Sequence, residues 1–321
     1  MPMRAPFLIN GQEAKSGRRT QIEIPIARLM SGTPVALPVI VLHGASDGPT
    51  VWINAAIHGD EIGGVEIVRR VLESIDAKTL NGTLIAVPIV NVHGFNTGDR
   101  YFPDRRDLNR SFPGSARGSL ASQVAFLMMS EIVRRCDIGI DLHTGSDHRS
   151  NLPQIRADLD DPTTLELAQV FGAPVSIHAR TRDGSLRHAA TEAGATVLLY
   201  EAGEALRFDK AAIEMGTQGV LRVLSHLQMV SHQPSPAAPT QLSRSTRWLR
   251  ATRSGIVQMS AGLGDAISAG DDIAIIRDPF GKQLGKVRAP SDGIVIGCTD
   301  HPLVNRGDAI IHIANVEPVP E

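Results

Sequence analysis

The sequence predicts an α/β protein: a doubly wound, mostly parallel sheet followed by a small all-β unit. Three observations carry this. Short apolar runs alternate with helical-period segments up to about residue 230, the order that builds parallel sheets covered by helices. Three prolines, Pro234, Pro236 and Pro239, then interrupt the chain within six residues. Beyond them, short β-rich runs broken by Gly and Asp replace the helical period.

Residues 1–35 are polar and read as irregular, with a strand at 20–26. Apolar runs at 38–42, 50–57, 83–90, 138–142, 175–177 and 196–199 read as buried strands. Between them, 61–75 reads as a helix, because Ile62, Val65, Ile67, Val68, Val71, Leu72 and Ile75 form one broad apolar face. Segments 119–135, 162–171, 185–193 and 210–228 read as further helices. Together these make a first domain over 1–230. The stretch 231–240 is a linker, since closely spaced prolines cannot sustain a helix and favour an extended spacer.

Residues 241–321 form the second unit, and it is internally repeated. Ser254-Gly255-Ile256-Val257 recurs as Asp292-Gly293-Ile294-Val295, and the run from Gly270-Asp271 to Ile276 recurs from Gly307-Asp308 to Ile313. Two such units pair to bury one small core that neither closes alone. The pattern resembles the lipoyl/biotinyl-carrier type of barrel-sandwich. Carriers of that type present a modifiable lysine at a hairpin tip, here Lys282 in Asp278-Pro279-Phe280-Gly281-Lys282. The flanking methionine or acidic pattern is missing, so Lys282 is expected to be unmodified and the module to be structural: it caps the cleft, makes an oligomer contact, or both, and carries none of the chemistry.

Composition excludes several function classes. The chain has 321 residues, 42% of them hydrophobic, and a formal net charge of −2. That length supports one large core and a smaller one. Near-neutral charge leaves no basic footprint for nucleic acid, and no apolar stretch reaches the ~20 residues that span a bilayer. The segment Met1-Pro2-Met3-Arg4-Ala5-Pro6 lacks a signal-peptide core. Two cysteines, Cys136 and Cys298, fall in different segments, which favours reduced thiols and a cytoplasmic setting.

The candidate chemistry lies at strand ends. His58 and Glu61 follow the run ending at Ile57, and His143 closes Ile140-Asp141-Leu142-His143. Open α/β sheets bind ligands at the carboxyl ends of their strands. Two His and one Glu form a catalytic zinc set, because three protein ligands leave a fourth position for water. Asp141, two residues before His143, could fix the imidazole tautomer from behind. His43 and His93 also lie near strand ends and receive no role.

The chain resembles the succinylglutamate desuccinylase/aspartoacylase family of the zinc carboxypeptidase superfamily. The resemblance covers about residues 35 to 225. It rests on His58-Gly59-Asp60-Glu61, Asp107-Leu108-Asn109-Arg110 running on to Gly114, Asp141-Leu142-His143-Thr144-Gly145 and Tyr200-Glu201-Ala202-Gly203, in that order. It implies a mixed sheet of zinc-carboxypeptidase type. It also implies one Zn2+ per chain on His58, Glu61 and His143, and hydrolysis of the amide of a small N-acyl amino acid. Glu201, which ends the buried run Val197-Leu198-Leu199-Tyr200, matches the family's general base; Glu204 competes without motif support. The matching Asn109-Arg110 pair holds the substrate carboxylate in the family, and a planar guanidinium suits that task. Arg100 is the candidate to polarise the scissile carbonyl, with Arg105 and Arg106 as alternatives. Arg180, Arg182 and Arg187 could reach a second carboxylate. The acyl group, the amino acid and any homo-oligomer are left open. Competing readings are a carboxypeptidase-like peptidase and a non-catalytic metal- or carboxylate-binding protein.

Overall fold

The structure is a computed structural model that describes residues 4–231 and 234–316. Part of the 231–240 linker, residues 232 and 233, lies outside the described residues. The chain opens with a hairpin, β1 (Phe7–Ile9) and β2 (Gln12–Ala14), followed by β3 (Arg18–Arg28), β4 (Pro34–His43) and β5 (Ser46–Ala55). The first 35 residues are therefore not irregular. Their polar look comes from β3, which buries only Ile22 and Ile24 and shows its other side chains to solvent or the rim.

Helix α1 (Gly63–Glu73) leads into β6 (Asn81–Val87), and a short α2 (Val92–Thr97) into a long loop. The next helix, α3 (Leu120–Leu127), ends in a π turn over Met128–Ile132 and a 3-10 turn over Val133–Arg135, so the expected 17-residue helix is broken into three. There follow β7 (Ile138–Gly145), β8 (Arg149–Ala157), α4 (Pro162–Phe171), β9 (Val175–His178), α5 (Leu186–Glu192), β10 (Thr196–Glu204) and α6 (Lys210–His226). Every residue of β7 is buried, as expected of a strand covered on both faces. One core gathers Ile67, Leu167 and Val220 from α1, α4 and α6 against the sheet, and a second gathers Val124 and Leu186 from α3 and α5.

The C-terminal part supplies β11 (Gln241–Arg250), β12 (Gly255–Met259), β13 (Ala266–Ile267), β14 (Asp272–Arg277), β15 (Gln283–Arg288), β16 (Gly293–Thr299), β17 (Leu303–Val304) and β18 (Ala309–Val316). The two sequence repeats take matching places in facing sheets: β12 pairs with β14, and β16 with β18. Ile276, Val287, Val295 and Ile311 fill the core between them. Lys282 lies at the exposed tip between β14 and β15.

The main sheet is mixed and has twelve strands in the order β13-β16-β18-β11-β9-β8-β10-β7-β5-β6-β4-β3. Its centre is parallel: β5 pairs with β6 and β7, and β7 with β10. At the other end β16 also pairs with β8. The ladder β8-β9-β11-β18-β16 thus closes on itself as a small barrel, with two strands from before the proline segment and three from after it.

Candidate metal centre and active-site cleft

His58 and Glu61 occupy the turn between β5 and α1. The turn is held close against α2: a Cβ on Gly59 would lie 2.1 Å from the carbonyl carbon of Gly94. His143 is on β7, and Glu201 is its register partner on β10. Parallel neighbours that end together deliver all four residues to one edge of the sheet.

The three candidate ligands converge. Nδ1 of His58 is 2.7 Å from Oε1 of Glu61, and Nδ1 of His143 is 2.7 Å from Oε2. The far nitrogen of each ring meets another carboxylate: Nε2 of His58 is 3.2 Å from Asp107, and Nε2 of His143 is 3.0 Å from Asp141. Asp141 is fixed in turn by Asn54, whose amide donates at 2.6 Å, and Asn54 accepts from the Trp52 indole at 2.9 Å. Ring nitrogens anchored from behind by carboxylates are the usual support of metal-bound histidines. The ligand atoms of His58, Glu61 and His143 all lie within 4.8 Å of one another and are buried.

The electrostatics agree with that reading. Burial works to raise the pKa of Glu61, but the imidazoles of His58 and His143 outweigh it and hold the carboxyl well below its usual range. Burial works to lower His143, yet Asp141 and Glu61 keep it well above the ordinary histidine value. His58 is raised in the same way, by Glu61 and Asp107 against burial. Three carboxylates face two imidazoles and the Arg100 guanidinium here. A divalent cation fits the donor set, because it replaces the protons that these rings otherwise hold.

Arg100 follows α2 and donates to Oε1 of Glu61 at 3.0 Å, to Ser146 at 3.1 Å and to Asp107 at 3.3 Å. It is the arginine of its loop that lines the cleft; Arg105 and Arg106 do not. Asn109 and Arg110 lie in a 3-10 turn capped by Asp107. Asn109 is buried, and its side-chain oxygen accepts from the Leu186 N–H at 2.9 Å, which leaves its amide NH2 for a ligand. The Arg110 guanidinium donates to the Asn109 carbonyl and reaches the cleft.

The cleft encloses about 490 Å³, and Arg180, Arg182 and Arg187 line it as well. Arg187 is committed to backbone, donating to the carbonyls of Ala179 and Arg180 at 2.8 and 3.0 Å. Glu204 pairs with Arg207 at 2.7 Å and does not line the cleft. His43 is bound by Thr83 and the Ala5 carbonyl. His93 packs on Phe102. Both cysteines are free, and burial pushes the Cys298 thiol up to about 12. Among the described residues no helix is long and apolar enough to cross a membrane.

Sequence reading missed the far wall of the cleft. Asn151 and Arg156 on β8 and Thr246 and Trp248 on β11 all line it. The two on β11 come from the C-terminal part, which was expected to carry none of the chemistry. Trp248 is stacked on one side by His312, with ring centroids 4.5 Å apart, and the Arg149 guanidinium lies 5.4 Å from its ring centre. A tryptophan in a Gly- and Asp-rich β region was the one available signal.

Comparison with known proteins points the same way. A family model described as the succinylglutamate desuccinylase/aspartoacylase catalytic domain matches residues 47–227. The N-alpha-acetyl-L-2,4-diaminobutyric acid deacetylase of Halomonas elongata is 28% identical, with 95% of this chain and 93% of that protein covered. A succinylglutamate desuccinylase/aspartoacylase structure from Rhodobacter sphaeroides superposes with a TM-score of 0.83 at 27% identity, covering 93% of this chain and 96% of the other. The product-bound ectoine utilization protein of Ruegeria pomeroyi gives the same TM-score at 23% identity, over 92% and 95% of the two chains.

Proposed function

The chain belongs to the succinylglutamate desuccinylase/aspartoacylase family, and from that premise we propose that it is a zinc-dependent amidohydrolase that releases the acyl group from a small N-acyl amino acid. One observation supports this most: two imidazoles and a carboxylate meet at the sheet edge where the register partner of one imidazole is a second carboxylate, Glu201.

In this reading His58, Glu61 and His143 hold the ion. Bound there, zinc would acidify a water toward neutral pH and polarise a carbonyl. Glu201 takes the proton of the attacking water on its carboxylate and returns it to the nitrogen of the leaving amine, the task of a positioned general base and acid. Arg100, held beside Glu61, meets the charge that develops on the carbonyl oxygen. The Arg110 guanidinium and the free amide of Asn109 grip the substrate carboxylate. The fold is then of the zinc-carboxypeptidase type, and the deacetylase relative places N-acetyl diamino acids among the compounds to try.

The test is a panel of N-acetyl, N-succinyl and N-formyl amino acids, including N-acetyl-2,4-diaminobutyrate, given to zinc-loaded protein and followed by mass spectrometry. Release of acid and free amino acid is expected from at least one member. Cleavage of short peptides in preference to every acyl amino acid would move the protein to the peptidase reading.

A further inference from the structure

Glu201 is held from the side away from the metal ligands. Its Oε2 accepts from the Asn151 amide at 3.0 Å. The Arg156 Nε lies 3.2 Å from the same oxygen, as an ion pair set off the hydrogen-bond line. Both partners come from β8, whose residues Ile155 and Gln154 pair with Tyr200 and Glu201. With Oε2 taken, Oε1 is the oxygen left to exchange a proton in the cleft.

Asn151 is itself held by the C-terminal part. It is buried, and its register partner on β16 is Gly297. A Cβ at Gly297 would stand 3.0 Å from the Asn151 side-chain oxygen and 3.2 Å from the Cβ of His312. The glycine therefore provides the room in which the Asn151 amide turns toward Glu201. Asn151 thus sits where the barrel closes, between the candidate base and the C-terminal strands.

We propose that Asn151 and Arg156 are positioning residues for Glu201, and that β16 keeps Asn151 in place through Gly297. This rests on the assignment of Glu201 as the base. The physical reason is geometric. A carboxylate free to rotate presents either oxygen at varying distance, and about 1 Å of misplacement at a reacting group can cost on the order of 100-fold in rate.

The experiment compares Asn151→Ala, Arg156→Met, Arg156→Lys and Gly297→Ala with the wild-type chain, on whichever acyl amino acid the panel identifies. Zinc content and the thermal transition are measured for each. The proposal expects zinc retained, kcat lowered about 10- to 100-fold for Asn151→Ala and Arg156→Met, and KM nearly unchanged. Arg156→Lys should recover part of the loss, and Gly297→Ala should lower kcat in the same direction as Asn151→Ala. Each change should cost no more than about twofold when added to Glu201→Gln, because residues acting through one group are not additive. A rise in KM at constant kcat would make Arg156 a substrate ligand and overturn the proposal. So would a full additive loss in the Glu201→Gln background. Near-normal turnover by Glu201→Gln alone would remove the base itself, a separate failure that the single variant detects.

Discussion

Glu61 sits between two imidazoles, and each imidazole is backed by a further carboxylate. This nesting sets what single substitutions should do. Asp141→Asn keeps the shape but removes the charge behind His143, so zinc affinity should fall about 10- to 100-fold, read by competition with a chromophoric chelator; unchanged affinity would make Asp141 only a packing residue. Glu201→Gln should bind zinc normally and lose about two to four orders of magnitude in turnover. His312 carries a pH prediction. Burial, aided by Arg156, holds it near 3 in the fold, far below its unfolded value. The unfolded chain therefore binds the extra proton between about pH 6.5 and 3, and stability present above that window is lost as pH falls through it. At pH 5 the loss is ~2 kcal/mol. His312→Phe keeps a ring against Trp248 and removes the titration, so its denaturation midpoint should depend less on pH than that of the wild type. His58, Glu61 and His143, which the structure brings together, stood out in the sequence because each follows an apolar run with glycine nearby. Asn151 and Arg156 were not, because β8 reads Arg-Ser-Asn-Leu-Pro-Gln-Ile-Arg, with a proline and no clear alternation.

Helix α1 shows how an element sets the site. Gly64 lies where a Cβ would come within 2.8 Å of the Cβ atoms of both Ala55 and Leu142. The helix can therefore rest directly on β5 and β7, which fixes the turn carrying His58 and Glu61. Gly64→Val should push α1 outward and destabilise the fold by about 1–3 kcal/mol through overpacking. It should also weaken zinc binding; a variant with wild-type stability in chemical denaturation would show that the contact is soft. The sequence announced α1 clearly, through its seven-residue apolar face. It overstated the helix at 119–135, because apolar periodicity continues through Met128 and Met129 while the backbone widens into a π turn there. It missed β8 entirely, since a strand that feeds polar side chains into a cleft lacks the apolar run by which buried strands are read.

At the scale of the molecule, the proline segment does not separate two independent sheets. β11 pairs with β9 and β16 with β8, so the C-terminal strands close a barrel with the strands that carry Asn151 and Arg156. Only strands, β11 to β18, follow the composition change at Pro239 among the described residues, but shared edges leave no trace in composition. Removing residues 240–321 should expose the backbone edges of β8 and β9, and unpaired edges promote association. The shortened chain is expected to aggregate or unfold at lower temperature in light scattering and calorimetry; a soluble product as stable as the full chain would count against the shared barrel. The central claim is that a metal on His58, Glu61 and His143 works with Glu201 on an acyl amino acid. It is tested most directly by measuring zinc stoichiometry and acyl amino acid turnover on the same samples of wild type and Glu201→Gln. The expected result is about one zinc per chain in both, with hydrolysis in the wild type alone. Wild-type protein that folds but takes up no zinc, or a zinc-loaded Glu201→Gln that turns over normally, would contradict it.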